Sequence, residues 1–172
     1  VSKEVAGFVL PIGATVNMDG TSLRGERNVA LGIQTPEGQQ LLRGFDFNSK
    51  APLSTVFYGT QTVDVATGAV TIASFVPQTQ LRVPEGTTHF SMLSAFLNLD
   101  FATGVSAITY STEENFAYGM TPVSTVLTPS AVPVGSGTQM YLLLIEFFQE
   151  VNGVQYMLNN GAFNVLHLLK MS

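Results

Sequence analysis

From residue 41 to its end the chain is cut into short runs of Val, Ile, Thr, Phe and Tyr, mostly five to eight residues long, by Gly, Pro, Asn and Asp. Side chains of that kind pack well on a pleated surface, and runs of that length are too short for stable helices. Strands are expected at about 41–47, 53–60, 69–76, 79–83, 88–99, 105–111, 123–128, 138–151, 154–159 and 162–170. So many strands without a helical period imply an all-β fold: an antiparallel β-sandwich, jelly-roll or immunoglobulin-like, over residues 41–172. Residues 1–40 read as a short N-terminal strand or arm and a connector, with Val5–Val16 extended and a turn at Asp19-Gly20. Residues 24–40 read as an exposed connector or short helix.

The turns are legible in more detail. Asn152-Gly153 separates two apolar runs, and a two-residue hairpin turn needs positive φ at both central residues. Asn160-Gly161 implies a second turn or bulge. Asp64-Val65-Ala66-Thr67-Gly68 recurs as Asp100-Phe101-Ala102-Thr103-Gly104. In each copy the Asp can accept backbone N–H groups two residues on and the Gly can turn left-handed, which predicts two hairpin loops. A calcium loop needs several oxygen ligands, and each copy brings one carboxylate. Residues 69–76 alternate without a charge on either face, which predicts a strand covered on both sides.

Composition narrows the function classes. Of 172 residues, 45% are hydrophobic and 11% charged, with no Cys and no Trp. That excludes a disulfide scaffold, a Cys-ligated zinc and a cysteine nucleophile. A net charge of −5 has the wrong sign for a nucleic-acid surface. No segment reads as a membrane span, which needs about 20 mostly apolar residues. Val5–Met18 holds Pro11 and two glycines, Glu146 interrupts Met140–Phe148, and Val151–Leu169 is studded with Asn and Gly. Nothing basic precedes an apolar stretch as in a signal peptide, and a start at Val1 without Met implies processing or a longer parent chain. An extracellular or particle-associated location is the favoured expectation.

Candidate chemistry is sparse. His89 and His167 each sit between apolar neighbours in a predicted strand, without a ligand cluster, and read as structural. Glu113 and Glu114 point to opposite faces of a strand. Glu146 and Glu150 share a face but lie roughly 13 Å apart, too far for paired-carboxylate glycoside chemistry. Glu146 is expected at solvent or an interface rather than buried with Arg43, Arg82 or Lys170. No nucleophile elbow, phosphate loop or dinucleotide fingerprint occurs. No catalytic, cofactor or metal residue is therefore assigned, and the chain reads as a non-enzyme. Tyr58, Tyr110 and Tyr118 are the candidate platform for a glycan.

Two segments resemble known families. Phe8-Val9-Leu10-Pro11-Ile12-Gly13-Ala14-Thr15-Val16-Asn17-Met18-Asp19-Gly20-Thr21 resembles the signature of sodium-coupled glutamate and dicarboxylate transporters. The resemblance implies sodium ligation at Asn17 and Asp19. It covers residues 5–23, and broken helices of that kind work only inside a bundle that satisfies their backbone, so it does not imply transport. Residues 24–172 resemble a family of uncharacterised β-proteins from Bacteroidota. The resemblance lies in Arg24–Asn28, Gly44–Asn48, Asp64–Gly68, Thr88-His89-Phe90 and, above all, Ile145–Gly153 with Asn160–Leu166. It implies no activity.

The expectation is a structural subunit that self-assembles as a homo-oligomer into a filament, sheath or particle. Few surface charges suit a surface that is largely covered. Val5–Val16 would be exchanged, adding a strand to a neighbour's sheet edge. The alternative is a glycan- or cell-surface-binding β-sandwich module.

Overall fold

The structure, a computed structural model, describes residues 42–172. The expected N-terminal strand Val5–Val16, the turn at Asp19-Gly20, the connector 24–40 and the motif residues Asn17 and Asp19 lie outside the described residues. Among the described residues the elements run α1 (Leu53–Val56), β1 (Gln61–Val63), β2 (Val70–Phe75), α2 (Pro77–Gln80), β3 (His89–Leu99), β4 (Ser106–Tyr110), β5 (Glu114–Ala117), β6 (Val123–Leu127), β7 (Thr138–Val151), β8 (Val154–Met157), a 3-10 turn (Leu158–Gly161) and β9 (Val165–Met171). This is the all-β, sandwich-like fold that the run lengths predict. A three-stranded sheet has the order β1-β2-β6, and a six-stranded sheet is built on β3 and β7.

The two long strands organise the molecule. β3 and β7 pair antiparallel from His89↔Phe148 to Leu99↔Thr138. The other edge of β3 takes β5 along His89–Met92 and β4 along Ala95–Leu99. The other edge of β7 takes β9 along Met140–Ile145 and β8 along Phe148–Val151. Because side chains alternate along a strand, both strands contribute to two separate cores. On the inner face Phe90, Met92, Leu143, Ile145 and Phe147 meet Val70, Ile72 and Phe75 of β2, Leu127 of β6, and Leu53 and Val56 of α1. Each fully buried side chain of this size contributes about 1.5–3 kcal/mol. Phe57, Phe75, Phe90 and Phe116 form a chain of tilted and edge-on rings, 5.0–6.1 Å apart, that carries this core across to β5. On the outer face Leu93, Ala95, Leu97, Met140, Leu142, Leu166, Leu168 and Met171 form the second core.

Several expectations change. Residues 53–60 and 79–83 are not strands: each region carries a single helical turn, α1 or α2, and one bridge, Phe57↔Leu81, joins them. Pro77 opens α2, where its fixed φ suits a first helical position. The Gln80 side chain then closes the turn by accepting the Val76 N–H at 2.8 Å. The strand expected at 41–47 is also absent; Gly44–Phe47 instead follow β9 through three main-chain bonds and one bridge, Asp46↔His167. β1 and β5 go unpredicted, since each is four residues or fewer and at least half polar. β2 is covered on one face only. A register shift between Ile72 and Phe75 brings Phe75 to the side of Ile72 and leaves Thr71, Ala73 and Ser74 exposed. The strands covered on both faces are β7, between Met140 and Phe147, and above all β3, buried from Phe90 through Asn98.

Candidate functional site

The repeated Asp-Xaa-Ala-Thr-Gly segments fold alike. Asp64 Oδ1 accepts the Ala66 N–H at 3.0 Å and Asp64 Oδ2 accepts the Thr67 hydroxyl at 2.7 Å. In the second copy Asp100 accepts the Ala102 N–H and the Thr103 hydroxyl, each at 2.8 Å. Gly68 and Gly104 adopt φ +77° and +74°, and each loop joins strands that pair, β1 to β2 and β3 to β4. The local sequence thus dictates the loop twice, and both carboxylates are engaged by their own loops. Among the described residues no group of three or more His, Cys, Asp or Glu side chains is placed to hold a metal ion.

The threonine hydroxyl first, and then the backbone N–H groups, hold the Asp64 and Asp100 carboxyls below the usual carboxylate range. A lowered folded value stabilises the fold above the unfolded value and loses that contribution as pH falls through the folded one. The loss therefore falls below pH about 4. The double variant Asp64→Asn/Asp100→Asn is expected to show a shallower fall of melting temperature on acidification than the parent, with no difference in slope near neutrality. Equal acid slopes would refute the loop contribution.

Both histidines have structural partners. His167 Nδ1 lies 2.7 Å from Asp46 Oδ1, which also accepts the Leu53 N–H at 2.8 Å. That carboxylate ties β9, the 44–47 segment and α1 together, a role with no spacing signal because Asp46 and His167 are far apart in sequence. His89 bonds Thr88 Oγ1 at 3.1 Å and lies 3.7 Å from Glu150. Glu146 is half-buried, and its Oε1 accepts from Asn164 Nδ2 at 2.8 Å. Asn115 and Gln155 exchange side-chain amide bonds at 2.9 and 3.2 Å. Since β5 and β8 sit at opposite edges of the large sheet, that pair shows the sheet curling at this end.

The tyrosines do not form one platform. Tyr58 is 57% exposed and its main chain meets α2, while Tyr118 packs against the inner core and Tyr110 against the outer one. A depression of about 380 Å³ lies between Leu99–Phe101, Ser136–Thr138 and Ser172. Its one titratable side chain, Asp100, is already bound within its loop.

Among the described strands the most exposed is β8. Asn152 and Gly153 take φ +52° and +78°, the two-residue turn that the sequence predicts, and Val151 pairs with Val154. Val154, Tyr156 and Met157 are 51%, 58% and 44% exposed, and among the described strands β8 pairs with β7 alone. The Glu150 N–H turns away from β8 to Thr88 Oγ1 at 2.7 Å. Gln155 is therefore the half of a non-bonded pair whose main-chain groups point outward. The sequence predicts this strand, but not that its apolar side chains stand in solvent. The only sequence signal is the lack of any charge in residues 154–159. No helix among the described residues is long and apolar enough to cross a membrane. No protein-family model, curated protein or solved structure matches the chain.

Proposed function

We propose that the chain is a non-catalytic structural subunit that assembles with copies of itself into a filament, sheath or particle, through donation of the N-terminal strand Val5–Val16 to a neighbour. The observation that carries the reading is an apolar surface on a chain with few charges. Val105 and Val134 are 70% and 82% exposed, and the whole of β8 lies open. Single exposed valines are ordinary, but the adjacent Val154, Tyr156 and Met157 on β8 give a run of exposed apolar surface that supports a face covered by another protein. An uncapped edge strand adds main-chain groups ready to pair.

The test is light scattering behind size-exclusion chromatography, with negative-stain microscopy of the early fractions. The full chain is expected to form regular assemblies, and a variant lacking residues 1–20 is expected to stay folded without forming them. Normal assembly by the truncated chain would refute strand donation, and a full chain that stays monomeric would refute the subunit reading.

A further inference from the structure

We infer that Asn152 is a self-modification site: the Gly153 amide nitrogen closes on the Asn152 side chain, the residue becomes aspartate or isoaspartate, and β8 is released. Asparagine is thermolabile, and a following glycine puts no side chain in the path of the attacking nitrogen. The sequence holds two such pairs, Asn152-Gly153 and Asn160-Gly161. Ring closure brings the glycine nitrogen onto the Cβ side of the asparagine, at ψ of about −120°, the value at the first central residue of a type II′ turn. Asn152 and Gly153 take φ +52° and +78°, a type I′ pair. Both turn types have positive φ at the first central residue and both close two-residue hairpins. A flip of the peptide plane between Asn152 and Gly153 therefore reaches the reactive geometry with Val151 and Val154 still paired. The Gly153 N–H has no partner among the described residues, both residues are exposed, and a Cβ built at Gly153 would meet nothing within 4 Å.

Asn160-Gly161 has the same signs of φ, +49° and +76°, without that freedom. The Gly161 N–H belongs to the 3-10 turn Leu158–Gly161, whose bonds run three residues back, so a flip there breaks one. Asn164 Nδ2 and Met157 Sδ stand 3.1 Å from where a Cβ of Gly161 would lie, and Glu146 holds that Asn164 amide at 2.8 Å.

The reaction consumes only water. The Gly153 amide proton passes to solvent, its nitrogen bonds Asn152 Cγ, and the Cγ–Nδ2 bond breaks as ammonia leaves with a proton from solvent. Water then opens the succinimide. Cleavage at Cγ leaves an aspartate, whereas cleavage at the main-chain carbonyl routes the chain through Cγ as isoaspartate, one carbon longer. That carbon lengthens a turn whose two residues set the Val151↔Val154 pairing. Among the described strands β8 pairs with β7 alone, so loss of the closing pair frees it. The inference does not rest on the subunit reading.

The test is ageing of the full chain at mildly alkaline pH, with peptide mass spectrometry that separates asparagine, aspartate and isoaspartate at each position. Conversion at Asn152 is expected to be roughly five-fold faster than at Asn160, the ratio that breaking one main-chain hydrogen bond accounts for. Equal rates, faster conversion at Asn160, or none at Asn152 would overturn the site. In urea the two rates should converge, and a ratio that persists there would mean that the turn does not set it. Hydrogen exchange of the isoaspartate fraction is expected to show lost protection at Val151, Val154 and β8. Freshly prepared Asn152→Asp, which adds the charge without the extra carbon, should keep that protection. Unchanged exchange in the isoaspartate fraction would overturn the release of β8, and equal loss in Asn152→Asp would overturn the lengthened turn as its cause.

Discussion

Replacing Phe96 with alanine is expected to cost about 3–5 kcal/mol, at the upper end of what truncating one side chain can remove. Phe96 is fully buried, and its ring stacks on that of Tyr141 with centroids 4.6 Å apart. The Tyr141 hydroxyl donates to the Val65 carbonyl at 2.8 Å, inside the first Asp-Xaa-Ala-Thr-Gly loop. The stacked pair thus clamps the β1–β2 loop of the small sheet onto the two central strands of the large one. Truncation leaves a cavity between the layers and removes the support beneath the Tyr141 ring. Urea unfolding followed by circular dichroism is the measurement, with a matching fall in melting temperature on the order of 10 °C. A loss below about 1 kcal/mol would mean that the clamp does not join the sheets.

Gly68→Ala and Gly104→Ala should differ sharply, although the two loops share their hydrogen bonds. Both positions need positive φ, which costs an alanine about 1–2 kcal/mol. At Gly104 an added Cβ meets nothing within 4 Å, so that strain is the whole effect. At Gly68 the Cβ would stand 2.4 Å from Cδ1 of Phe96 and 2.9 Å from its Cγ. Relieving that overlap adds about 1–3 kcal/mol, because the ring is itself held by Tyr141. Gly68→Ala is therefore expected to lose about 2–5 kcal/mol against about 1–2 kcal/mol for its twin. In the double variant Phe96→Ala/Gly68→Ala the ring overlap disappears and only the 3.1 Å approach to the Cβ of residue 96 remains, so the combined loss should fall short of the sum. Equal denaturation midpoints for the two glycine variants would refute the clamp from the loop side.

These two loops show how far local chemistry reaches. The Asp, Thr and Gly of each copy act within five residues, so the hairpins can be read from the sequence, as can the Asn152-Gly153 turn. The long strands are equally legible, because β3 and β7 are sustained runs of β-branched, aromatic and aliphatic side chains. Residues 53–60 have the apolar composition of a strand and residues 79–83 mix polar and apolar side chains as a strand can, but Pro52 and Pro77 precede or open a helical turn there. A window of that length does not separate the two outcomes, and contact with the inner core decides between them.

The assignment of faces belongs wholly to the packing of the sheets. Alternation states that two sides exist, but not which side another layer covers. Val70–Phe75 carries no charge on either side and is covered on one, whereas β3 is covered on both. The same holds for the partners of Asp46, His167, Asn115 and Gln155, which meet only because distant segments are brought together. Strands, turns and the all-β class were already written in the chain, since they follow from propensities and hydrogen bonds within a few residues. Burial of Gly68 and exposure of its twin Gly104 came only with the assembled layers, because burial is a property of what lies opposite a residue and not of the residue itself.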